Sequence, residues 1–360
     1  MKNMSVYNFA AGPAMLPASV INQIKSDLPS FNDSGMSVME ISHRSDLFEK
    51  IINEAKTNLL ELLNLSDDYE VLFLQGGATT QFAAIPMNIA KTKHIGLVDT
   101  GHWSIRAQEE AKRAGIKVDT IASSKTDQYH NIPNVKQPQQ DLDYIHLTTN
   151  NTIEGTAYNK LPNLTTPLVL DVSSNFLAQS YQFKNVDVIY GGAQKNIGIA
   201  GLTIVAVRKD LITENDLPGM WNFQILSKKN SMLNTPPVFA IYTANLVLKW
   251  LKNLGGVAEI EKRNRQKSGL LYDFLDNSKL FNNPVKKDSR SLTNIVFSTG
   301  NDELDNKFIE QAKENNLVNL KGHRLVGGMR ASLYNAMPYE GAEALVDFLE
   351  KFERDNWRTK

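Results

Sequence analysis

The segment PLVLDVSSNFLAQSYQFKNVDVIYGGAQKN, residues 167–196, contains two apolar runs of strand length with a more polar connection between them. The runs cover 167–172 and 186–191, and small or polar residues follow each one. Continuous apolar runs of this kind are typical of strands in a parallel sheet that is covered on both faces. Ligands bind at the carboxyl ends of such strands. Asp171 and Lys195 are therefore the first candidate functional residues.

Similar apolar runs occur on the N-terminal side of this segment, and one more follows it. Further strand-like runs cover 71–74, 95–99, 117–122, 144–149 and 202–207, and helical patterns cover 17–28, 45–63, 79–90 and 103–114. Strands that alternate with helices predict an α/β domain with a mostly parallel sheet flanked by helices.

The pattern changes after a long helical region, 237–281, which Gly255-Gly256 interrupts. Two short strand-like runs and two amphipathic helical patterns follow, at 294–298, 328–334, 302–315 and 340–354. They predict a smaller C-terminal α+β domain. We therefore divide the chain into an N-terminal arm (1–15), a large domain (16–254) and a small domain (255–360).

The composition excludes several classes of function. Lys+Arg and Asp+Glu each number 39, so the net charge gives no reason to expect binding to nucleic acid or to an anionic membrane. The chain contains no cysteine, which excludes disulfides, zinc–thiolate sites and a cysteine nucleophile. No histidine has the spacing of a metal ligand, so no metal site is assigned. The first residues lack the apolar core of a signal peptide. We expect a cytoplasmic protein that acts on small molecules.

Lys195 lies in GGAQKNIG (191–198), directly after a strand. A lysine amine must be partly desolvated to attack an aldehyde, and small neighbours let the backbone approach a cofactor closely. Taken alone, a lysine is more often exposed to solvent. Asp171 adds support, because a carboxylate at a buried strand end needs a cationic partner such as the protonated ring nitrogen of pyridoxal 5′-phosphate (PLP). Asp171 could instead cap the turn at Ser173-Ser174.

Three further features would suit a phosphorylated aromatic cofactor. The turn Gly76–Thr80 joins a strand to a helix, and free N–H groups at a helix N-terminus bind phosphate. The turn does not have the sequence of a P-loop, and an ordinary strand–turn–helix connection could have the same sequence. Trp103 could stack on a planar ring or belong to the core. Thr152 could donate to a ring oxygen or be a turn residue.

Basic residues cluster in two places. His323, Arg324 and Arg330 lie in GHRLVGGMR (322–330), and His43 and Arg44 lie in ISHRS (41–45). Arginines in glycine-rich turns suit the capture of carboxylate or phosphate. A solvated basic loop is the alternative interpretation.

Taken together, these motifs resemble those of the phosphoserine aminotransferases. The matching segments run through most of the chain in the family's order: NFAAGPAMLP (8–17), ISHRS (41–45), FLQGGATTQFAAIPMN (73–88), DVSSNF (171–176), GGAQKN (191–196), NTPPVFAIY (234–242) and GHRLVGGMRASLYNAMP (322–338). The resemblance implies a homodimeric PLP enzyme of fold type I with a seven-stranded sheet. It also implies reversible transamination of 3-phosphohydroxypyruvate with L-glutamate to give O-phospho-L-serine and 2-oxoglutarate. Bacterial members also form 4-phosphohydroxy-L-threonine in pyridoxine synthesis.

The resemblance also implies roles for the cofactor site. Lys195 would bind PLP as a Schiff base and then shuttle a proton, and Asp171 would pair with the pyridinium. Trp103 would stack on the ring and Thr152 would approach its 3′-oxygen. The residues implied to bind the cofactor phosphate are Ala78, Thr79, Gln194 and, from the other subunit, Asn234 and Thr235.

For the substrate, the resemblance implies that Arg330 binds the α-carboxylate. The residues implied to bind the phosphate of phosphoserine or the side-chain carboxylate of glutamate are His323, Arg324 and, across the interface, His43 and Arg44. The chain departs from some relatives at two positions, with Thr79 in place of Arg and Ala11 in place of Ser. Neither departure removes a catalytic group.

Two other interpretations remain open from the sequence. Another PLP enzyme of the same fold type is one, either an alanine–glyoxylate aminotransferase, which would not need the doubled basic cluster, or a cysteine desulfurase, whose cysteine nucleophile this chain lacks. A non-enzymatic phosphate-binding module is the other, but it would leave Lys195 and Asp171 unexplained.

Overall fold

The computed structural model describes residues 6–357, so the first five residues of the predicted arm and the last three of the predicted small domain lie outside the described residues. The strands are β1 (Tyr7–Asn8), β2 (Tyr69–Leu74), β3 (His94–Asp99), β4 (Lys117–Ser123), β5 (Ile145–Thr148), β6 (Asn150–Asn151), β7 (Thr156–Ala157), β8 (Leu168–Asp171), β9 (Val186–Gly192), β10 (Thr203–Arg208), β11 (Asn294–Phe297), β12 (Leu317–Val318) and β13 (Met329–Ser332). The helices are α1 (Ala18–Asp27), α2 (Asp46–Leu63), α3 (Gly77–Ile89), α4 (His102–Arg113), α5 (Phe223–Lys228), α6 (Val238–Asn253), α7 (Gly256–Asn277), α8 (Asp302–Glu314) and α9 (Tyr339–Asn356). None of them, within the described part of the chain, is long and apolar enough to cross a membrane.

The central sheet has seven strands in the order β2-β10-β9-β8-β5-β3-β4. The neighbours from β9 to β4 pair in parallel, and β10 runs antiparallel to both β9 and β2. The connection from β9 to β10 is short, and a parallel crossover requires about a dozen residues or more. Lys195 lies in this short connection. The predicted mostly parallel α/β sheet is confirmed.

Helices cover both faces of the sheet, which explains why its strands are apolar without alternation. On β8, Leu168 and Leu170 pack in the core cluster that includes α2 and α6. Val169, on the same strand, packs in a second cluster with α3 and α4. Successive side chains of a strand point to opposite faces, so a strand buried on both faces must be apolar at every position.

The C-terminal part of the chain has a separate aromatic core around the antiparallel pair β11–β13, and the division into a large and a small domain stays a prediction. Phe308 packs 5.2 Å from Phe352 and 5.3 Å from Phe281, measured between ring centroids. The N-terminal arm belongs to this region, because β1 pairs in parallel with β12 and Phe9 is fully buried in the aromatic core. The arm then continues toward the carboxyl edge of the central sheet.

Candidate active site

Asp171 ends β8 and is buried. Its Oδ1 accepts hydrogen bonds from the backbone N–H of Ser173 at 2.9 Å and from the Ser173 hydroxyl at 2.6 Å. Within residues 6–357, no donor bonds to Oδ2. Burial raises the pKa of Asp171, while the Ser173 hydrogen bonds and the charge of Lys195 oppose that rise. One oxygen of a buried carboxylate is therefore available to a cationic donor.

Lys195 lies in the β9–β10 connection with its Nζ 5.9 Å from the centroid of the Trp103 ring. Burial lowers the pKa of Lys195 to about 8, with Asp171 opposing the shift and Arg330 adding to it. The arm packs against its stem: a Cβ on Gly12 would lie 3.4 Å from Cγ of Lys195. Such an environment gives the amine a neutral fraction near physiological pH, as a nucleophile or base requires.

Thr152 joins the Trp103 ring to Arg330. The indole Nε1–H of Trp103 donates to Thr152 Oγ1 at 2.9 Å, and an Nη1–H of Arg330 donates to the Thr152 carbonyl at 3.1 Å. Arg330 lies on β13 of the small domain and is half-buried. A side chain from β13 therefore contacts Thr152, which lies far from it in the sequence and bonds to the Trp103 ring.

The turn before α3 has the geometry of an anion site. Gly76 has φ +94°, and α3 begins at Gly77. Ala78 is half-buried and Thr79 is exposed in the first helical turn. The first N–H groups of an α-helix have no acceptor within the helix, and the helix dipole is positive there. These groups can bind a phosphate.

Gln194 immediately precedes Lys195 and is half-buried. Its carbonyl accepts the N–H of Ala14 at 2.9 Å, which ties the arm to the lysine loop. A Cβ on Gly192 would lie 2.5 Å from Gln194 Oε1. The glycine at position 192 therefore allows the Gln194 side chain to fold back over the end of β9.

The basic residues of the small domain lie beside this cluster. The His323 ring centroid is 6.1 Å from that of His102, the first residue of α4. Burial lowers the pKa of His323, and the charges of Arg330, His102 and Arg324 add to the effect. Arg324 is exposed. Arg330 and Arg324 thus supply positive charge around a histidine whose protonation they disfavour.

Within residues 6–357, four predicted residues have no hydrogen bond or ion pair with the residues around Lys195: His43, Arg44, Asn234 and Thr235. Within residues 6–357, the side chains of His43, Arg44 and Asn234 form no hydrogen bond or ion pair. Asn234 and Thr235 are exposed just before α6. The Thr235 carbonyl accepts a weak hydrogen bond from Gln75 Nε2 at 3.5 Å, beside the turn that begins at Gly76.

Sequence reasoning missed two residues of the site, Glu154 and His102. Glu154 is only 8% exposed, and its Oε1 accepts the backbone N–H of His102 at 2.8 Å. An isolated glutamate in a loop is usually exposed, so its type alone gave no signal. The proximity of both residues to candidate residues in the sequence did give a signal. Glu154 follows Thr152 by two residues, and His102 directly precedes Trp103.

The residues present fit PLP. Oδ2 of Asp171 suits a pyridinium N–H, the Trp103 ring suits stacking, and the N-terminus of α3 suits a phosphate. The Lys195 amine lies 5.9 Å from the centroid of the indole ring, and the charge of Arg330 helps to lower its pKa. A single group with an aldehyde, a basic ring nitrogen and a phosphate therefore accounts for all of these residues.

Comparisons with known proteins agree with the chemistry of the site. The class-V aminotransferase family model matches residues 6–345. The phosphoserine aminotransferase of Lactiplantibacillus plantarum is 57% identical over 353 residues, which are 97% of this chain and 99% of that protein. The structure of the phosphoserine aminotransferase from Bacillus circulans subsp. alkalophilus has a TM-score of 0.94 and 43% identity, covering 98% of this chain and 99% of that one. The PLP-bound phosphoserine aminotransferase of Trichomonas vaginalis has a TM-score of 0.90 and 35% identity, covering 96% of this chain and all of that one.

Identities of this size over nearly the whole chain establish more than the fold. They confirm the predicted fold type, the prediction that the chain is a transaminase, and the prediction that its cofactor is PLP. The chain therefore belongs to the phosphoserine aminotransferases, PLP-dependent enzymes of aminotransferase class V.

Proposed function

We propose that this chain catalyses the reversible transfer of an amino group between L-glutamate and 3-phosphohydroxypyruvate, giving 2-oxoglutarate and O-phospho-L-serine. The observation that supports the proposal is that the desolvated Lys195 and the buried Asp171 occur together with the cationic Arg330 and Arg324. Both amino acid substrates are anionic at two ends. A net-neutral protein with a local basic cluster suits such ligands.

The catalytic roles follow from the two polar groups. PLP, when bound, supplies an aldehyde and an electron-accepting ring. Asp171, whose Oδ2 has no donor from residues 6–357, would keep the ring nitrogen protonated. Lys195 would hold the cofactor through its amine, and the free amine would move a proton to and from the substrate Cα. A pKa of about 8 suits an amine that works as a general base near neutral pH.

The substrate roles follow from the position of the cations. Arg330, fixed by the Thr152 carbonyl, binds the α-carboxylate common to both substrates. His323 and Arg324 bind the phosphate or the side-chain carboxylate at the other end. Donors from several side chains serve a tetrahedral phosphate and a planar carboxylate better than one rigid guanidinium fork.

The complete site requires a homodimer in this proposal. The segments implied to reach across the interface carry exposed apolar side chains: Met36 and Met39, just before His43 and Arg44, are 43% and 64% exposed. Leu233, just before Asn234 and Thr235, is 38% exposed. Exposed apolar groups beside unpaired polar ones are typical of an interface. Cytoplasmic localisation, which the family's metabolic role implies, is part of the same proposal.

The absorbance spectrum of the purified holoenzyme tests the proposal. We expect a visible band from the covalently bound cofactor that changes when O-phospho-L-serine or L-glutamate is added. L-serine and L-alanine should change it far more slowly, since they lack the second anionic group. Lys195→Ala should lose the band after dialysis with an amino donor. Equal rates with L-serine and O-phospho-L-serine would contradict the substrate assignment.

A further inference from the structure

Glu154 is a buried carboxyl group for which the catalytic scheme has no use. It lies in the loop after β6, and its two oxygens have different surroundings. Oε1 accepts the first N–H of α4 from His102 at 2.8 Å. Oε2 is buried and, within residues 6–357, has no hydrogen-bond partner. A buried carboxyl oxygen without a partner is costly when ionised.

The carboxyl group is packed closely against the start of α4. A Cβ on Gly101, which has φ +145°, would lie 2.4 Å from Glu154 Oε1 and 2.7 Å from Oε2. Only a residue without a side chain leaves room for the carboxyl group at this point. The helix N-terminus and the glycine therefore hold Glu154 in place.

Charged and titratable groups face Glu154 from each neighbouring element. Arg330 on β13 favours the ionised form, and Asp99 at the end of β3 disfavours it. The Tyr129 hydroxyl donates to Asp99 Oδ2 at 3.1 Å, and the charge of Glu154 raises the pKa of that tyrosine. His102 contributes its backbone N–H, and His130 lines the same small cavity. Burial outweighs the favourable contacts and raises the pKa of Glu154 to about 7.

Arg330 and Glu154 are linked through one loop. The Arg330 guanidinium donates to the carbonyl of Thr152, two residues before Glu154. Each group shifts the pKa of the other in the direction expected of opposite charges. Arg330 is also half-buried, and its Nε has no partner within residues 6–357. The charge of the guanidinium therefore acts on Glu154 and would act on any anion that enters the pocket.

We propose that Glu154 is a positioning residue that holds the Arg330 end of the pocket and takes up a proton when a carboxylate ligand binds there. The inference rests on the proposed function in one respect, the assignment of the α-carboxylate to Arg330. A bound carboxylate neutralises the guanidinium and displaces water, and both changes disfavour a second negative charge nearby. Protonated Glu154 then leaves the whole charge of Arg330 to the ligand.

Linkage fixes the sign of the pH dependence. Ligand binding that takes up a proton becomes weaker as pH rises through the pKa of the group that accepts it. Below the pKa of Glu154 its carboxyl group is already protonated, and affinity no longer depends on it. We therefore expect affinity for a dicarboxylate to fall as pH rises from about 7, by up to roughly tenfold per pH unit for one proton.

The test uses 2-oxoglutarate as the probe and the PLP-loaded enzyme as the protein. The probe has no amine, so it binds to this form without transamination, and both of its carboxylates stay ionised from about pH 6 to pH 8.5. Its Kd is measured by calorimetry in two buffers of different ionisation enthalpy that contain neither carboxylate nor phosphate. The difference in heat gives the protons taken up. Cofactor absorbance in the same samples reports protonation linked to Lys195, which is subtracted.

Glu154→Gln is the decisive variant, because its amide oxygen can still accept the N–H of His102. We expect it to bind 2-oxoglutarate with a Kd that varies at least about threefold less between pH 7 and pH 8.5, and to take up fewer protons than wild type after the cofactor contribution is subtracted. His130→Asn is the matched control, since His130 lines the same cavity, and it should keep the wild-type profile. A Glu154→Gln profile identical to the wild type would overturn the inference.

Two further outcomes separate this inference from the proposed function. Wild-type enzyme that binds 2-oxoglutarate without any proton uptake beyond that of the cofactor refutes the role of Glu154, even if the variant fails to fold. Wild-type enzyme that does not bind 2-oxoglutarate, or Arg330→Ala that binds it as tightly as wild type, contradicts the proposed function instead.

Discussion

At the residue scale, a lowered lysine pKa does not identify a catalytic lysine by itself. Burial lowers the pKa of Lys267 to about 7, below that of Lys195. The Lys267 ammonium, however, donates to the carbonyls of Tyr334 and Met337, each at 2.9 Å, and its side chain is 2% exposed. Lys195 faces an aromatic ring and a buried carboxylate instead. The neighbours of the amine, and access to it, distinguish a reactive group from a structural one.

The pKa of Lys195 leads to a prediction for the apoenzyme. Only the neutral amine attacks an aldehyde, and its fraction grows as pH rises toward the pKa. With a pKa of about 8, roughly a tenth of the amine is neutral at pH 7, against less than a thousandth for an ordinary lysine. The rate of covalent PLP attachment, followed by stopped-flow absorbance, should therefore rise with pH and level off above about 8. A rate that still rises steeply above pH 9.5 would show that the amine is not desolvated.

The two arginines of the small domain predict different kinetic defects. Arg330→Ala should slow the half-reactions with L-glutamate and with O-phospho-L-serine alike, because both carry an α-carboxylate. Loss of a hydrogen bond to a charged group costs about 1.5–3 kcal/mol, or roughly 10- to 100-fold in kcat/KM. Arg324→Ala should affect O-phospho-L-serine more than L-glutamate. Single-turnover absorbance with each substrate separately measures both, and equal losses in Arg324→Ala would refute this division.

At the element scale, the sequence predicts most of the framework. The apolar runs at 167–172 and 186–191 correspond to β8 and β9, because strands buried on both faces have to be continuously apolar. The pairing of β1 with β12 was not predictable, since two-residue strands carry no periodic pattern and their partner is distant in sequence. Helix α5 has only six residues, which are too few to show a helical period, so the sequence does not predict it.

The candidate site was predictable to the extent that its residues follow strands. Lys195, Asp171 and Thr152 lie at the carboxyl edge of the sheet, where ligands of α/β proteins bind. The proximity of Glu154 to Thr152 in the sequence could have drawn attention to it, but its burial against Gly101 and its interaction with Arg330 could not be predicted, because those residues are distant in the sequence. The roles of the individual residues stay predictions until variants are measured.

The turn before α3 offers a matched pair of glycine variants. Gly76 and Gly77 both have positive φ, so alanine at either costs about 1–2 kcal/mol in backbone strain. A Cβ at Gly76 would also lie 2.2 Å from Thr80 Oγ1 and 2.9 Å from Thr80 Cβ, whereas a Cβ at Gly77 meets nothing within 4 Å. Gly76→Ala should therefore lower Tm and PLP affinity more than Gly77→Ala. Thermal unfolding with and without PLP measures both effects, and equal PLP affinities would remove this turn from the phosphate site.

At the scale of the whole molecule, the site lies where the arm and both proposed domains meet. The Tyr334 hydroxyl of the small domain donates to the Ala11 carbonyl of the arm at 2.8 Å. The Asn335 N–H donates to Oδ1 of Asn196, beside Lys195, at 2.9 Å. Chain segments that are far apart in sequence thus position one lysine. In the proposed homodimer, the remaining contacts, from His43, Arg44, Asn234 and Thr235, come from a second copy of the chain.

Mixing two inactive variants tests whether the sites are shared between subunits. A heterodimer of Lys195→Ala and Arg44→Ala chains has one site with both defects and one site with neither, because the intact lysine of one chain meets the intact arginine of the other. Each variant alone should have little activity, whereas a fully exchanged equimolar mixture should regain up to about a quarter of the wild-type activity with O-phospho-L-serine. Exchange is achieved by brief partial denaturation and checked by mass. If Arg44 served the site of its own chain, the heterodimer would have one site without Lys195 and one without Arg44, and mixing would restore nothing.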